Sequence, residues 1–160
     1  MHTTAWIARY LACLLFWPTG SALASGQHTG GHGHQQAALG QPGKAAQVTR
    51  TITIDMQDTM RYRPSSIQVK KGETVRFVIR NSGQLKHEFS LGTEKMLLEH
   101  LEVMKRFPDM EHDEPNQITL APGAQGEIIW RFTQAGQVPF GCLQPGHYEA
   151  GMKGIITTKP

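Results

Sequence analysis

Between residues 51 and 157 the chain is a succession of short apolar runs broken by turn dipeptides, and this pattern restricts the fold more than any other feature. Thr51-Ile52-Thr53-Ile54-Asp55-Met56 alternates at period two, the spacing of a strand with one face in a core and one in water. Shorter runs follow at Ile67–Val69, Val75–Ile79, Phe89–Leu91, Ile118–Leu120, Ile128–Phe132, Val138–Phe140 and Gly154–Thr157. Between them stand Lys71-Gly72, Asn81-Ser82-Gly83, Pro122-Gly123 and Ala135-Gly136. Such spacing predicts an all-β fold, an antiparallel Greek-key sandwich or barrel of about seven or eight strands, with Phe77, Phe89, Trp130, Phe132 and Phe140 in the core. One segment departs from it. Thr93 is placed to cap a helix over residues 94–106, Leu97, Leu101 and Met104 share one face, and Pro108 is a stop, so a short helical insertion is expected.

The N-terminus has a different character. Arg9 is the only charged residue before Lys44, an apolar run from Tyr10 to Trp17 follows it, and Ala22-Leu23-Ala24 closes the segment. This reads as a signal peptide, residues 1–24, cleaved after Ala24, and so as export to the periplasm. The apolar run is far short of the roughly 18 residues that span a bilayer, so no membrane span is expected. Residues 25–47 are mostly Gly, Gln, His and Ala, too poor in large apolar side chains to offset their ordering entropy, and are expected to form a flexible tail. The folded domain is then residues 48–160.

Composition sharpens the question of chemistry. The 160 residues include two cysteines, eight histidines and seven methionines. Two cysteines exclude a disulfide-rich scaffold. Signal removal takes Cys13 and leaves Cys142 alone, an exported thiol with no internal partner that must be buried or held. Charge is uneven but weak: residues 44–95 carry ten basic and five acidic side chains, and residues 96–116 carry two basic and six acidic. No dense basic run with interleaved aromatics occurs, so nucleic acid is not an expected partner.

The chemistry concentrates in Phe140-Gly141-Cys142-Leu143-Gln144-Pro145-Gly146-His147-Tyr148-Glu149-Ala150-Gly151-Met152. Thiolate, imidazole and thioether follow one another on a Gly/Pro-rich loop between two strands, and this donor set suits copper. A second histidine is expected from a distant strand, and His87, at the start of the Phe89 run, is the candidate. With these residues in place the sequence resembles the cupredoxins, the plastocyanin and azurin family of type 1 copper proteins, over roughly residues 48–158. The resemblance implies that His87, Cys142, His147 and Met152 are the copper ligands, with Met152 axial, and that the reaction is one-electron transfer. Plastocyanin-like members usually have two residues between Cys and His, and azurin-like members four there and three before Met. Here both gaps are four.

Two further features go beyond a minimal electron carrier. His28, His32 and His34 lie close together in the tail, either a polar linker or a site that captures copper or another divalent metal. Met96, His100 and Met104 recur at four-residue intervals in the helix, with Met110 and His112 beyond it, either as packing or as an accessory copper site. Both resemble periplasmic cupredoxins associated with copper resistance. The expected function is therefore a periplasmic, monomeric, type 1 copper protein serving copper tolerance among redox or copper-handling partners; the alternative is a general soluble electron carrier. An enzyme is not expected: the single His-x-His pair, His32-Gly33-His34, lies in the tail rather than in the domain.

Overall fold

The computed structural model describes residues 39–110 and 114–160. Among them, ten strands form two five-stranded sheets that enclose one main core. The first sheet runs β1 (Gln41–Pro42), β8 (Gln125–Arg131), β5 (Thr74–Asn81), β2 (Arg50–Gln57), β3 (Arg61–Arg63). The second runs β4 (Ser66–Lys70), β10 (Lys153–Lys159), β9 (Gly136–Gly141), β6 (His87–Leu91), β7 (Gln117–Leu120). All eight runs read from the sequence are strands, and β1 and β3 are added, each too short to show a period. Two pairings, β2 with β5 and β4 with β10, are parallel rather than antiparallel. Alternation encodes which face is buried but not the direction of the neighbouring strand. Here β4 leaves for the other sheet before β5 returns, so β2 and β5 meet running the same way.

The alternation is carried through to packing. Val75, Phe77 and Ile79 of β5 point inward and are fully buried, as are Ile54 and Met56 of β2. Phe89 of β6 and Phe140 of β9 meet Tyr62 and each other with ring centroids 5.0–5.8 Å apart, and Phe77 packs on Phe89 and Phe132. Burying each such ring stabilises the fold by about 1.5–3 kcal/mol. The five aromatic residues assigned to the core by sequence all lie there.

The folded part begins earlier than residue 48. Leu39 is buried, its carbonyl accepts a 2.8 Å hydrogen bond from the Trp130 indole N–H, and β1 pairs with β8. Gly40 makes this approach possible, because its φ of 108° is unfavourable to other residues and a Cβ would run into the Arg131 carbonyl. The stretch expected to be a tail up to residue 47 is thus held against the sheet from Leu39 onward. Averaged composition hid one anchoring side chain. Leu39→Ala is expected to cost about 2–5 kcal/mol, read as a lower denaturant midpoint at unchanged slope.

Helix α1 (Glu94–Arg106) has the bounds expected from sequence. Thr93 Oγ1 accepts from the Met96 N–H, and Lys105 and Arg106 sit in the last turn, where the helix dipole favours cations. Its buried face, Leu97, Leu101 and Met104, joins Leu143 and Tyr148 in a second apolar cluster. These two partners follow Cys142 and His147 directly, so the insertion buttresses the loop that carries them. A 3.0 Å ion pair between Lys105 and Glu149 lies on the same contact.

Candidate metal centre

Strand β6 opens with His87, whose side chain is fully buried, and the loop between β9 and β10 brings Cys142 and His147 to it. His87 Nδ1 lies 3.2 Å from His147 Nδ1, and Cys142 Sγ lies 3.3 Å from the same nitrogen. The three donor atoms all fall within 4.8 Å of one another. Two imidazoles and one thiol with their donors turned inward are the equatorial set of a blue-copper site, so the residues fit copper.

The loop is tied so that these atoms converge. The Cys142 N–H donates to the Met152 carbonyl and the Met152 N–H to the His147 carbonyl, both at 3.0 Å, and the His147 N–H closes a turn onto Gln144. Gly141 lets the loop fold this tightly, because a Cβ there would press into the Tyr148 ring. Met152 is buried in the same apolar cluster as Cys142. From the neighbouring strand β6 the Glu88 N–H donates to Cys142 Sγ at 3.3 Å. His147 alone of the three donors is partly exposed, which makes its ring edge the way in from solvent.

Burial decides the electrostatics. It pushes the Cys142 thiol up to about 12, helped by the Glu88 carboxylate and opposed by the backbone N–H groups of Glu88 and Gln144. Holding the thiolate at pH 7 then costs on the order of 7 kcal/mol, more than the roughly 2 kcal/mol of a free cysteine, so without metal Cys142 is a protonated, inert thiol. Burial, and next the nearby His87, hold His147 below the usual histidine range, which keeps its ring neutral and able to ligate. Asp58 in the β2–β3 turn is held below the usual carboxylate range, first by the Gln84 N–H and then by His87.

Glu88 follows His87 directly in β6. Its side chain is fully buried, and burial pushes it up to about 7. Both carboxyl oxygens lack a hydrogen-bond partner, although Gln144 lies near enough to favour the charged form somewhat. A carboxyl whose folded pKa is raised contributes stability that is complete below the unfolded value of 4.5 and is lost as pH rises through about 7. The metal-free protein is therefore expected to lose about 3 kcal/mol between pH 4 and pH 8 through this group. Glu88→Gln should lack that increment. Denaturant midpoints of the two proteins across this range check it, and parallel curves count against it.

The other residues singled out in the sequence divide. Met104 is packing, enclosed by Leu97, Leu101, Leu143 and Tyr148. Met96 and His100 line one cavity of about 440 Å³ beside Glu99 and Glu114. The signal segment, His28, His32, His34 and His112 lie outside the described residues. Nothing in the sequence singles out Asp58. It lies 29 positions before His87 and only the fold joins them.

Known proteins resemble this chain in the same region. Residues 48–159 match the family of copper binding proteins that comprises plastocyanin and azurin. A copper-resistant cuproprotein, CopI, of Rubrivivax gelatinosus is 48% identical over 133 residues, covering 82% of this chain and 81% of that protein. The CopI protein of Pseudomonas aeruginosa is 37% identical over 86% of this chain and 90% of its own. Among solved structures, auracyanin B shares the fold with a TM-score of 0.63 at 22% identity, over 76% of this chain and 96% of its own. Auracyanin of Roseiflexus castenholzii does so at 0.60 and 23%, over 71% and 99%. The sheet pair, the converging His87, Cys142 and His147, and the match over residues 48–159 place the chain in the plastocyanin/azurin family of copper-binding cupredoxins.

Proposed function

We propose that this protein is an exported type 1 copper protein that serves copper tolerance, with His87, Cys142, His147 and Met152 as its ligands. The observation that carries the proposal is the convergence of two imidazole nitrogens and the single thiol among the described residues at one buried point. Copper at that point supplies one-electron redox chemistry between Cu(I) and Cu(II). The chain's own residues do the rest. Cys142 gives up its proton to become the thiolate donor, and the Glu88 N–H is aimed at that sulfur. Met152, anchored by both backbone hydrogen bonds, would offer its thioether sulfur as the fourth donor. The partly exposed His147 ring would present the centre's edge to a docked redox partner, while the packed aromatic core excludes water behind it.

The relatives and the N-terminus support this setting. Two relatives that cover most of this chain are named for copper resistance. The reading of residues 1–24 as a signal peptide cleaved after Ala24 supports the periplasm, and no helix among the described residues is long and apolar enough to cross a membrane. Residues 25–38, with His28, His32 and His34, and the cavity wall with Met96 and His100 are offered as accessory copper-binding elements. The protein works as a monomeric binding and electron-transfer protein rather than an enzyme, handing copper or electrons to periplasmic partners.

Loading the mature protein with Cu(II) and recording its visible spectrum and copper stoichiometry tests this. An intense thiolate-to-copper band with one tightly bound copper is the expected result for the folded part. More than one copper, falling to one when residues 25–38 are removed, supports the accessory role of that segment. Gene deletion separates the two cellular roles. Loss of copper tolerance supports the proposal, whereas unchanged tolerance with a blocked respiratory electron path makes the protein a general electron carrier.

A further inference from the structure

His87 faces two ways. Its Nδ1 turns toward His147 and Cys142, and its Nε2 lies 2.9 Å from Asp58 Oδ1. A neutral imidazole carries one proton, and a carboxylate can only accept, so the proton that makes the contact with Asp58 must sit on Nε2. Nδ1 is then left with its lone pair aimed at the donor cluster. The carboxylate is itself fixed, since Oδ2 accepts the Gln84 N–H at 2.7 Å and Oδ1 the Leu85 N–H at 3.2 Å. Gly83 makes room for it, because a Cβ at that position would collide with the Asp58 side chain. One carboxylate from the β2–β3 turn thus clamps the segment leading into β6 and orients the first residue of that strand.

We propose that Asp58 is the positioning residue of this metal centre: it fixes the Nε2–H tautomer of His87 and biases bound copper toward Cu(II). The bias has two physical sources that act in the same direction. A carboxylate accepting the far N–H of a ligating imidazole makes the near nitrogen a stronger donor. A negative charge close to the centre also favours the more highly charged metal ion, because the attraction scales with the charge; the exposed Asp58 carboxylate is partly screened by water, but the His87 ring between it and the donor cluster is buried. The proposal rests on the copper reading given above, but its first half concerns the metal-free protein and stands or falls separately.

Two measurements test it. Long-range ¹H–¹⁵N correlation on the metal-free, ¹⁵N-labelled protein reports the His87 tautomer directly. Nε2–H is expected, and Nδ1–H overturns the proposal whether or not any variant folds and whether or not copper gives a thiolate band. The second measurement is the reduction potential of the copper-loaded Asp58→Asn protein. Asn keeps the size and one acceptor oxygen but removes the charge, and at least a tenfold shift of the Cu(II):Cu(I) ratio toward Cu(I) is expected, a rise of about 59 mV. Asp55→Asn is the control, since Asp55 of β2 accepts hydrogen bonds from Gln57 and Ser82 and makes none with His87. A rise no larger than in the control would mean that Asp58 ties down the loop and leaves the metal alone.

Discussion

Cys142→Ser is expected to abolish the thiolate-to-copper absorption and to lower Cu(II) affinity by at least about a hundredfold, the upper end of what losing an outer hydrogen-bond partner of a ligand costs. Serine occupies nearly the same volume, so the packing around position 142, with Phe140, Leu143 and Met152 buried nearby, has little reason to change. What changes is the donor. A hydroxyl is harder than a thiolate and does not ionise near neutral pH, whereas the thiol ionises when a metal replaces its proton. The Glu88 N–H aimed at sulfur in the parent would then face a neutral oxygen. The visible spectrum and a competition titration against a chelator measure both effects. A band that survives the substitution removes Cys142 from the metal centre and with it the type 1 assignment.

A consequence for stability follows from the same chemistry. Copper that binds the folded state alone stabilises it by RT ln(1 + [L]/Kd), about 4 kcal/mol at a thousandfold excess over Kd. The parent should therefore gain thermal stability with added copper, and Cys142→Ser should lose most of that gain.

Phe140→Ala carries the largest expected effect on the metal-free fold. Phe140 is fully buried in β9, with ring centroids 5.0 Å from both Tyr62 and Phe89, and it stands two residues before Cys142. Truncating a buried Phe costs about 3–5 kcal/mol through lost transfer energy and the cavity left behind. The edge-on contact with Tyr62 adds about 0.5–1.5 kcal/mol, so the upper end of that range is expected. Because the ring sits between the sheets near the metal centre, the loss should reach the ligand loop as well. Tyr62 also donates its hydroxyl to the Glu88 carbonyl at 2.6 Å, and a shifted Tyr62 would disturb the strand that carries His87. Equilibrium denaturation of the metal-free protein measures the first effect, and the copper spectrum of the variant at low denaturant measures the second. A loss under 1 kcal/mol would mean that the cavity collapses and that the cluster is not the keystone of the core.

Much of this architecture is legible in the amino-acid sequence. Strand periodicity locates the eight main strands, and Thr93 with Pro108 brackets the helix, because burial of one face and capping are local properties of a few neighbouring residues. The donor loop is legible for the same reason: Cys142, His147 and Met152 lie within eleven residues of chain, and thiol, imidazole and thioether have few common uses at that density. His87 is reachable only because the chemistry demands a second imidazole and one histidine stands at a strand entrance. Elements set by distant partners are not legible. β1 is held by the Trp130 indole and β8, and nothing around Leu39 announces that contact. The burial of Glu88 is not legible either, since every position of β6 is covered by elements remote in sequence.

By itself, then, the sequence determined the fold class, the place of the helix and the chemical identity of the proposed donors, all of which depend on residue type and short-range spacing. The tertiary structure decided the rest. It set the parallel pairing of β2 with β5, the packing of the helix on the ligand loop through Leu143 and Tyr148, and the meeting of Asp58 with His87. The physical reason is that pairing direction, burial of a charge and the partner of a ring nitrogen are properties of two chain segments at once. Only folding brings both segments to the same place.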